Sequence, residues 1–189
     1  MTDGRNQWMN RRGFLALAGL GLASFAWLAR PRASRGGEGE DEMGEVRGPN
    51  APEKLDKPES QWKDVLPADR YGVLFDEDTE RPGTSPLNHE KRAGTFICAA
   101  CYLPLFESKM KYESGTGWPS FFETIPDRVA TRRDFKLILP RTEYHCARCG
   151  GHQGHVFDDG PQPTGLRYCN NGLALEFVPS GEKLPALRS

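Results

Sequence analysis

Hydrophobic positions change their spacing once in the part of the chain that follows residue 61. Trp62, Val65, Leu66, Tyr71, Val73, Leu74 and Phe75 recur at loosely helical intervals up to Asp76. That spacing predicts short helices broken at Pro67, whose ring removes an N–H and blocks a continuing turn. Beyond Asp76, short runs rich in β-branched and aromatic residues stand between Gly and Pro punctuation. They predict strands over Thr95–Cys98, Lys136–Leu139, Thr142–Cys146, His155–Phe157 and Tyr168–Val178. Many short strands in so little chain predict a mainly β fold with a small helical cover on its N-terminal side.

The region before residue 61 has a different character. Residues 13–29 are an uncharged, mostly apolar run of 17 positions, short of the ~20 residues a helix needs to cross a bilayer. The run follows Asn10-Arg11-Arg12-Gly13-Phe14-Leu15 and is similar to a twin-arginine export signal. Residues 1–33 are therefore expected to be a signal or anchor, with the protein periplasmic or held on the membrane facing outward. Membrane contact is expected through this segment alone. Ala33 is a candidate cleavage residue, and both cleavage and anchoring stay open. The twin-arginine route resembles that of proteins folded before transport, so a metal could be acquired in a reducing cytoplasm. Residues 34–60, with Gly36, Gly37, Gly39, Gly44, Gly48 and many acids, hold too little apolar surface to offset ordering entropy and read as a flexible tether. Residues 61–182 remain as the folded domain and 183–189 as a tail.

Charge narrows the classes of function. The formal charge of -1 conceals an asymmetry: five of the 25 Lys+Arg lie within residues 1–33, and only one of the 26 Asp+Glu. The rest of the chain is acidic, the wrong balance for nucleic acid, where phosphate neutralisation supplies most of the affinity.

Five cysteines are present, and four form two pairs, Cys98-Ala-Ala-Cys101 and Cys146-Ala-Arg-Cys149. Two thiolates on a tight turn supply half of a tetrahedral zinc site, and two such knuckles close it with no open position, which makes the ion structural. One structural zinc would clamp the two ends of the β region. Such sites are worth roughly 10–16 kcal/mol in small peptides, comparable to the ~5–15 kcal/mol stability of a whole domain. Disulfides, plausible in an oxidising compartment, and a rubredoxin-like iron site are the competing readings. A third set, Cys146, Cys149, His152 and His155, would leave Cys98 and Cys101 without a purpose.

Cys169 is left over. If Tyr168–Val178 is one strand, Arg167, Cys169 and Asn171 share a face, followed on it by Leu173, Leu175 and Phe177. A cationic neighbour lowers a thiol pKa, and Arg167 is placed to do so. Spacing alone leaves a reactive thiol and an inert buried cysteine equally open. His152 and His155 lie between the second knuckle and Cys169; each could be structural or serve as a proton donor. Gly154 between them permits a bulge that would bring both rings to one side. Trp118, in Gly115-Thr116-Gly117-Trp118-Pro119-Ser120, could be core or the wall of an apolar pocket.

Gly115–Phe121 (GTGWPSF), Gly151–Gly160 (GHQGHVFDDG), Arg167–Gly172 (RYCNNG) and the paired knuckles, with Thr79-Glu80-Arg81-Pro82 and Lys111-Tyr112-Glu113-Ser114, together resemble the methionine-R-sulfoxide reductases, type B. The resemblance spans roughly residues 61–179 and implies two antiparallel β-sheets, zinc-clamped, with short N-terminal helices. It implies an oxidoreductase of oxidative-stress repair that returns methionine-R-sulfoxide in proteins to methionine. Cys169 would attack the sulfoxide sulfur and become a sulfenic acid, and Trp118 would pack on the S-methyl group. His155, His152 and Asn171 would position a water or proton at the oxygen, and Arg167 would help hold the thiolate. Oxidised proteins are then the substrates, and a thioredoxin-like or other thiol the reductant. Two positions depart from the pattern. Thr116 stands where many relatives carry a resolving cysteine, so an external thiol must reduce the sulfenic acid directly. Asn170 stands where an aliphatic residue is usual, and strand parity turns it away from Cys169. The competing function is a non-catalytic zinc-binding β module with an inert Cys169.

Overall fold

The computed structural model describes Val46 and residues 48–135 and 140–189. The signal or anchor segment, most of the tether and the predicted strand Lys136–Leu139 lie outside the described residues. Among those described, no helix is long and apolar enough to cross a membrane.

A 3-10 turn, Glu59–Trp62, and one α-helix, α1 (Ala68–Phe75), come first, with Pro67 as the residue that caps α1. Proline tolerates this place because the N–H it lacks would have had no intrahelical partner. Trp62 is fully buried and stacks on Phe75 with ring centroids 5.7 Å apart. Residues 48–60 also touch the domain: the Leu55 N–H donates to the Arg148 carbonyl at 2.8 Å, and Leu55 packs on the core. At the other end, the Arg188 N–H reaches the Cys101 carbonyl at 3.0 Å.

Among the described residues nine strands follow: β1 (Gly94–Cys98), β2 (Pro104–Glu107), β3 (Lys111–Tyr112), β4 (Ser120–Phe121), β5 (Val129–Asp134), β6 (Arg141–Cys146), β7 (His152–Phe157), β8 (Arg167–Asn170) and β9 (Leu175–Pro179). They build two antiparallel sheets, as expected. The smaller is ordered β2-β1-β9 and the larger β3-β4-β8-β7-β6-β5. Aromatic rings fill the space between them. Phe106 of β2 stacks on Phe121 of β4 at 4.0 Å, and Phe96 of β1 meets the same ring edge-on at 5.0 Å. Tyr144 of β6 and Tyr168 of β8 extend the cluster. Burying these large side chains helps to hold sheet to sheet.

The expected single strand Tyr168–Val178 is in fact two. A 3-10 turn, Gly172–Ala174, separates β8 from β9, and the two belong to different sheets. The cause lies far away in sequence. The Glu80 carboxylate accepts the N–H groups of Gly172 at 2.5 Å and Leu173 at 3.0 Å, drawing the backbone out of the ladder. A Cβ at Gly172 would collide with Ser85, so only glycine fits there. The alternation that aligned Asn171 with Leu173, Leu175 and Phe177 therefore does not apply.

The anticipated bulge is present. Tyr144 pairs with Gly154 while His145 pairs with His152, which leaves Gln153 as the extra residue of β7. The bulge brings the His152 and His155 rings to 5.6 Å. A Cβ on Gly154 would strike the Cys169 carbonyl, so glycine lets β8 lie close against β7 at the point where Cys169 sits.

Candidate active site and metal centre

The two knuckles close the ends of β1 and β6 with the same hydrogen-bond pattern. Cys98 N–H donates to the Leu103 carbonyl and Tyr102 N–H to the Cys98 carbonyl; Cys146 with Gly151, and Gly150 with Cys146, repeat it. Both fourth-after-cysteine residues, Tyr102 and Gly150, adopt positive φ. The turns bring four sulfurs within 4.8 Å of one another. Cys98 Sγ lies 3.7 Å from Cys149 Sγ, and Cys101 Sγ 3.5 Å from Cys146 Sγ. Disulfide sulfurs sit ~2.05 Å apart, whereas a tetrahedron with metal–sulfur bonds of ~2.3 Å spaces them about 3.8 Å apart. The donor set thus fits one tetrahedral metal ion. Burial pushes the Cys98 thiol up, and neighbouring sulfurs push that of Cys149 up and that of Cys101 down; a cation among them would favour the ionised form of all four. The tetrad joins the small sheet, through β1, to the large one, through β6.

His152 and His155 turn elsewhere, which removes the Cys146–Cys149–His152–His155 set. His152 Nδ1 meets Glu143 Oε1, and His145 Nε2 lies 3.3 Å from the same oxygen. Arg132 Nε donates to the other Glu143 oxygen at 2.8 Å. Burial opposes the charge on Glu143, but the two imidazoles and Arg132 hold its pKa well below the ordinary carboxylate range.

Cys169 occupies the middle of the large sheet, opposite Ser120 on β4 and His155 on β7. Its sulfur is free and partly exposed, at a pocket of about 130 Å³ lined by Thr79, Trp118, Arg141, His155, Phe157 and Asn171, among others. Trp118 is half-buried rather than core; its indole N–H donates to the Glu80 carbonyl at 3.2 Å, which fixes the ring at the pocket. The Glu80 N–H donates to Asn171 Oδ1 at 3.2 Å, so one residue holds both flanks. A larger groove of about 720 Å³ runs past Arg70, Arg92 and Phe177 and does not include Cys169.

Of the residues expected at the site, Cys169, His155, Asn171 and Trp118 meet at this pocket. His152 does not line it and stands behind His155. Arg167 does not line it either. Its guanidinium forms a bidentate pair with Asp159, at 2.7 and 2.9 Å, and lies 4.2 Å from the centre of the Phe157 ring. Burial raises the Cys169 thiol above its ordinary value. Arg167 and a hydrogen bond from Thr116 pull the other way without cancelling it, and Asp159 adds to the rise. Burial thus works against the thiolate, while Arg167, by its charge and a hydrogen bond to the sulfur, favours it. Thr116 is close enough to bond the sulfur and is itself tied through Ser114 to Ser120, at 2.8 and 2.7 Å. Asn170 does point away: the Tyr144 hydroxyl donates to its Oδ1 at 2.6 Å, and its amide reaches the Asn171 carbonyl and Gln153.

Three functional neighbours were missed from sequence. Asp134 lies 2.9 Å from His155 Nε2, and Arg141 Nη2 donates to the same carboxylate oxygen at 2.6 Å. Glu80 braces the pocket as described. Its place in Thr79-Glu80-Arg81-Pro82 was the only sequence signal for any of them.

A free thiol, an imidazole and an aromatic wall meet at one pocket on an antiparallel sheet, an arrangement that suits a thiol-dependent oxidoreductase. The family model described as the SelR domain matches residues 66–179. Proteins described as peptide methionine sulfoxide reductase MsrB are similar over most of the chain. That of Methanosarcina mazei is 49% identical over 129 residues, covering 68% of this chain and 92% of the relative. That of Pseudomonas putida is 49% identical over 128 residues, 67% and 96% respectively. The chain belongs to the type B methionine-R-sulfoxide reductases, and is an enzyme of that class.

Thiol alkylation across pH checks the electrostatics. The rate at Cys169, with Cys98, Cys101, Cys146 and Cys149 kept in their metal site, should keep rising past pH 9, the ordinary thiol value. Arg167→Met should move the midpoint higher still. A plateau below pH 8 in the unmodified protein would show that burial does not dominate.

Proposed function

We propose that the chain reduces methionine-R-sulfoxide in proteins through Cys169. The partly exposed sulfur beside Trp118 and His155 carries this reading. The Cys169 thiol gives its proton toward the sulfoxide oxygen as its sulfur attacks the sulfoxide sulfur; the transient S–S bond and the S–O bond to methionine then break as the hydroxyl passes to Cys169, leaving methionine and a sulfenic acid. One proton is needed at the departing oxygen. His155 holds it there with Asn171, and His152 supports the ring of His155 from behind. Trp118 receives the S-methyl group on its apolar face, and Arg167 favours the thiolate as it forms. An external dithiol, of the thioredoxin-like kind, then returns the sulfenic acid to thiol, releasing water and becoming a disulfide. Thr116 cannot form a disulfide with Cys169, so that exchange is direct.

Cys98, Cys101, Cys146 and Cys149 hold one zinc ion, chosen over iron because the role is a closed clamp without redox chemistry. The ion supplies rigidity to the sheet junction and stands outside the reaction. Residues 1–33 direct export, and the enzyme repairs proteins outside the cytoplasm.

Cys169→Ser should abolish reduction of an R-sulfoxide peptide while the variant folds and keeps its metal. Retained turnover would end the proposal. For location, the native protein should fractionate with periplasm or membrane, and recovery in the cytosol would refute export.

A further inference from the structure

His155 faces Cys169 across one pair of strands, and a buried acid stands on its other side. Asp134 ends β5, and its carboxylate is only 6% exposed. The β5 and β6 strands pair Asp134 with Arg141, β6 and β7 pair Glu143 with His155, and β7 and β8 pair His155 with Cys169. Acid, imidazole and sulfur therefore lie in sequence across the large sheet. His155 Nε2 is 2.9 Å from Asp134 Oδ2, and Arg141 Nη2 donates to that oxygen at 2.6 Å.

We propose that Asp134 is the positioning residue of His155, fixing its tautomer so that Nε2 carries the ring proton and Nδ1 is the nitrogen that exchanges a proton at the pocket. The proposal rests on the reading of His155 as the proton-handling group. The Arg141 guanidinium donates to the same oxygen, so the carboxylate faces the ring nitrogen as an acceptor. The arrangement follows the general rule that a catalytic imidazole is oriented by a third group. Charged or titratable groups facing His155 are Asp134 from β5, Arg141 and Glu143 from β6, His152 on its own strand and Cys169 from β8. Burial, Arg141 and His152 disfavour the protonated ring; Asp134 and Glu143 favour it, and the balance leaves His155 below its ordinary value. Asp134 thus keeps a buried histidine able to take up a proton during turnover.

The test compares Asp134→Asn, His155→Asn and the unchanged enzyme with an R-sulfoxide peptide and a dithiol. Asp134→Asn should lower kcat roughly a hundredfold with KM within about twofold. The limb of the pH profile that reports the imidazole should move to lower pH, because the carboxylate no longer favours the charged ring. A loss of rate with an unshifted profile, or wild-type kinetics beside an impaired His155→Asn, would overturn the role of Asp134 alone. Full activity in His155→Asn would overturn the underlying reading as well. Nitrogen-15 shifts of His155 in the unchanged enzyme decide the matter if Asp134→Asn does not fold. An Nε2–H tautomer is expected, and an Nδ1–H tautomer contradicts the proposal.

Discussion

Two sheets of unequal size can lie together in many ways, and four converging sulfurs leave this chain one. Cys98 and Cys101 close the end of β1, Cys146 and Cys149 the end of β6, and the sulfur separations suit a single tetrahedral ion. Gln153 carries this constraint inward. Its side-chain Nε2 lies 3.6 Å from Cys98 Sγ, and its side-chain Oε1 accepts from the Asn170 amide, beside Cys169. The extra residue of β7 is thus tied to the clamp at one end and to β8 at the other. Phe106 and Phe121 complete the junction from the apolar side.

Within that frame the site is a contest between burial and charge. Packing Cys169 into the sheet gives it a defined direction toward Trp118 and His155 but makes its ionisation harder. Arg167 answers only in part, because Asp159 engages the same guanidinium. Burial and charge thus act on the sulfur in opposite directions.

The elements with clear periodicity were legible in the sequence. α1, β1, β6 and the second half of β7 follow from apolar spacing, Pro67 and Gly154, and the knuckles announced themselves by their cysteines. β5 stayed hidden because Thr131, Arg132 and Arg133 mask the alternation that buries Ala130 and Asp134. β3 and β4, two residues each, are too short for any pattern. The break between β8 and β9 was invisible because the apolar alternation runs straight through it, while its cause, Glu80, lies some ninety residues earlier. For the site, the motifs pointed to Cys169, Trp118 and His155, which share one pocket, yet they could not show that His152 looks toward Glu143 or that burial works against Arg167. Those are properties of packing across strands, which spacing along one strand does not contain.

The clamp is the central claim, and removing its ion tests it most directly. Metal analysis of the purified chain should find one zinc ion, and stripping it with a chelator should lower the melting temperature sharply and abolish turnover together. Restoring zinc should recover both. A metal-free protein that melts at the same temperature and still reduces its substrate would contradict the account.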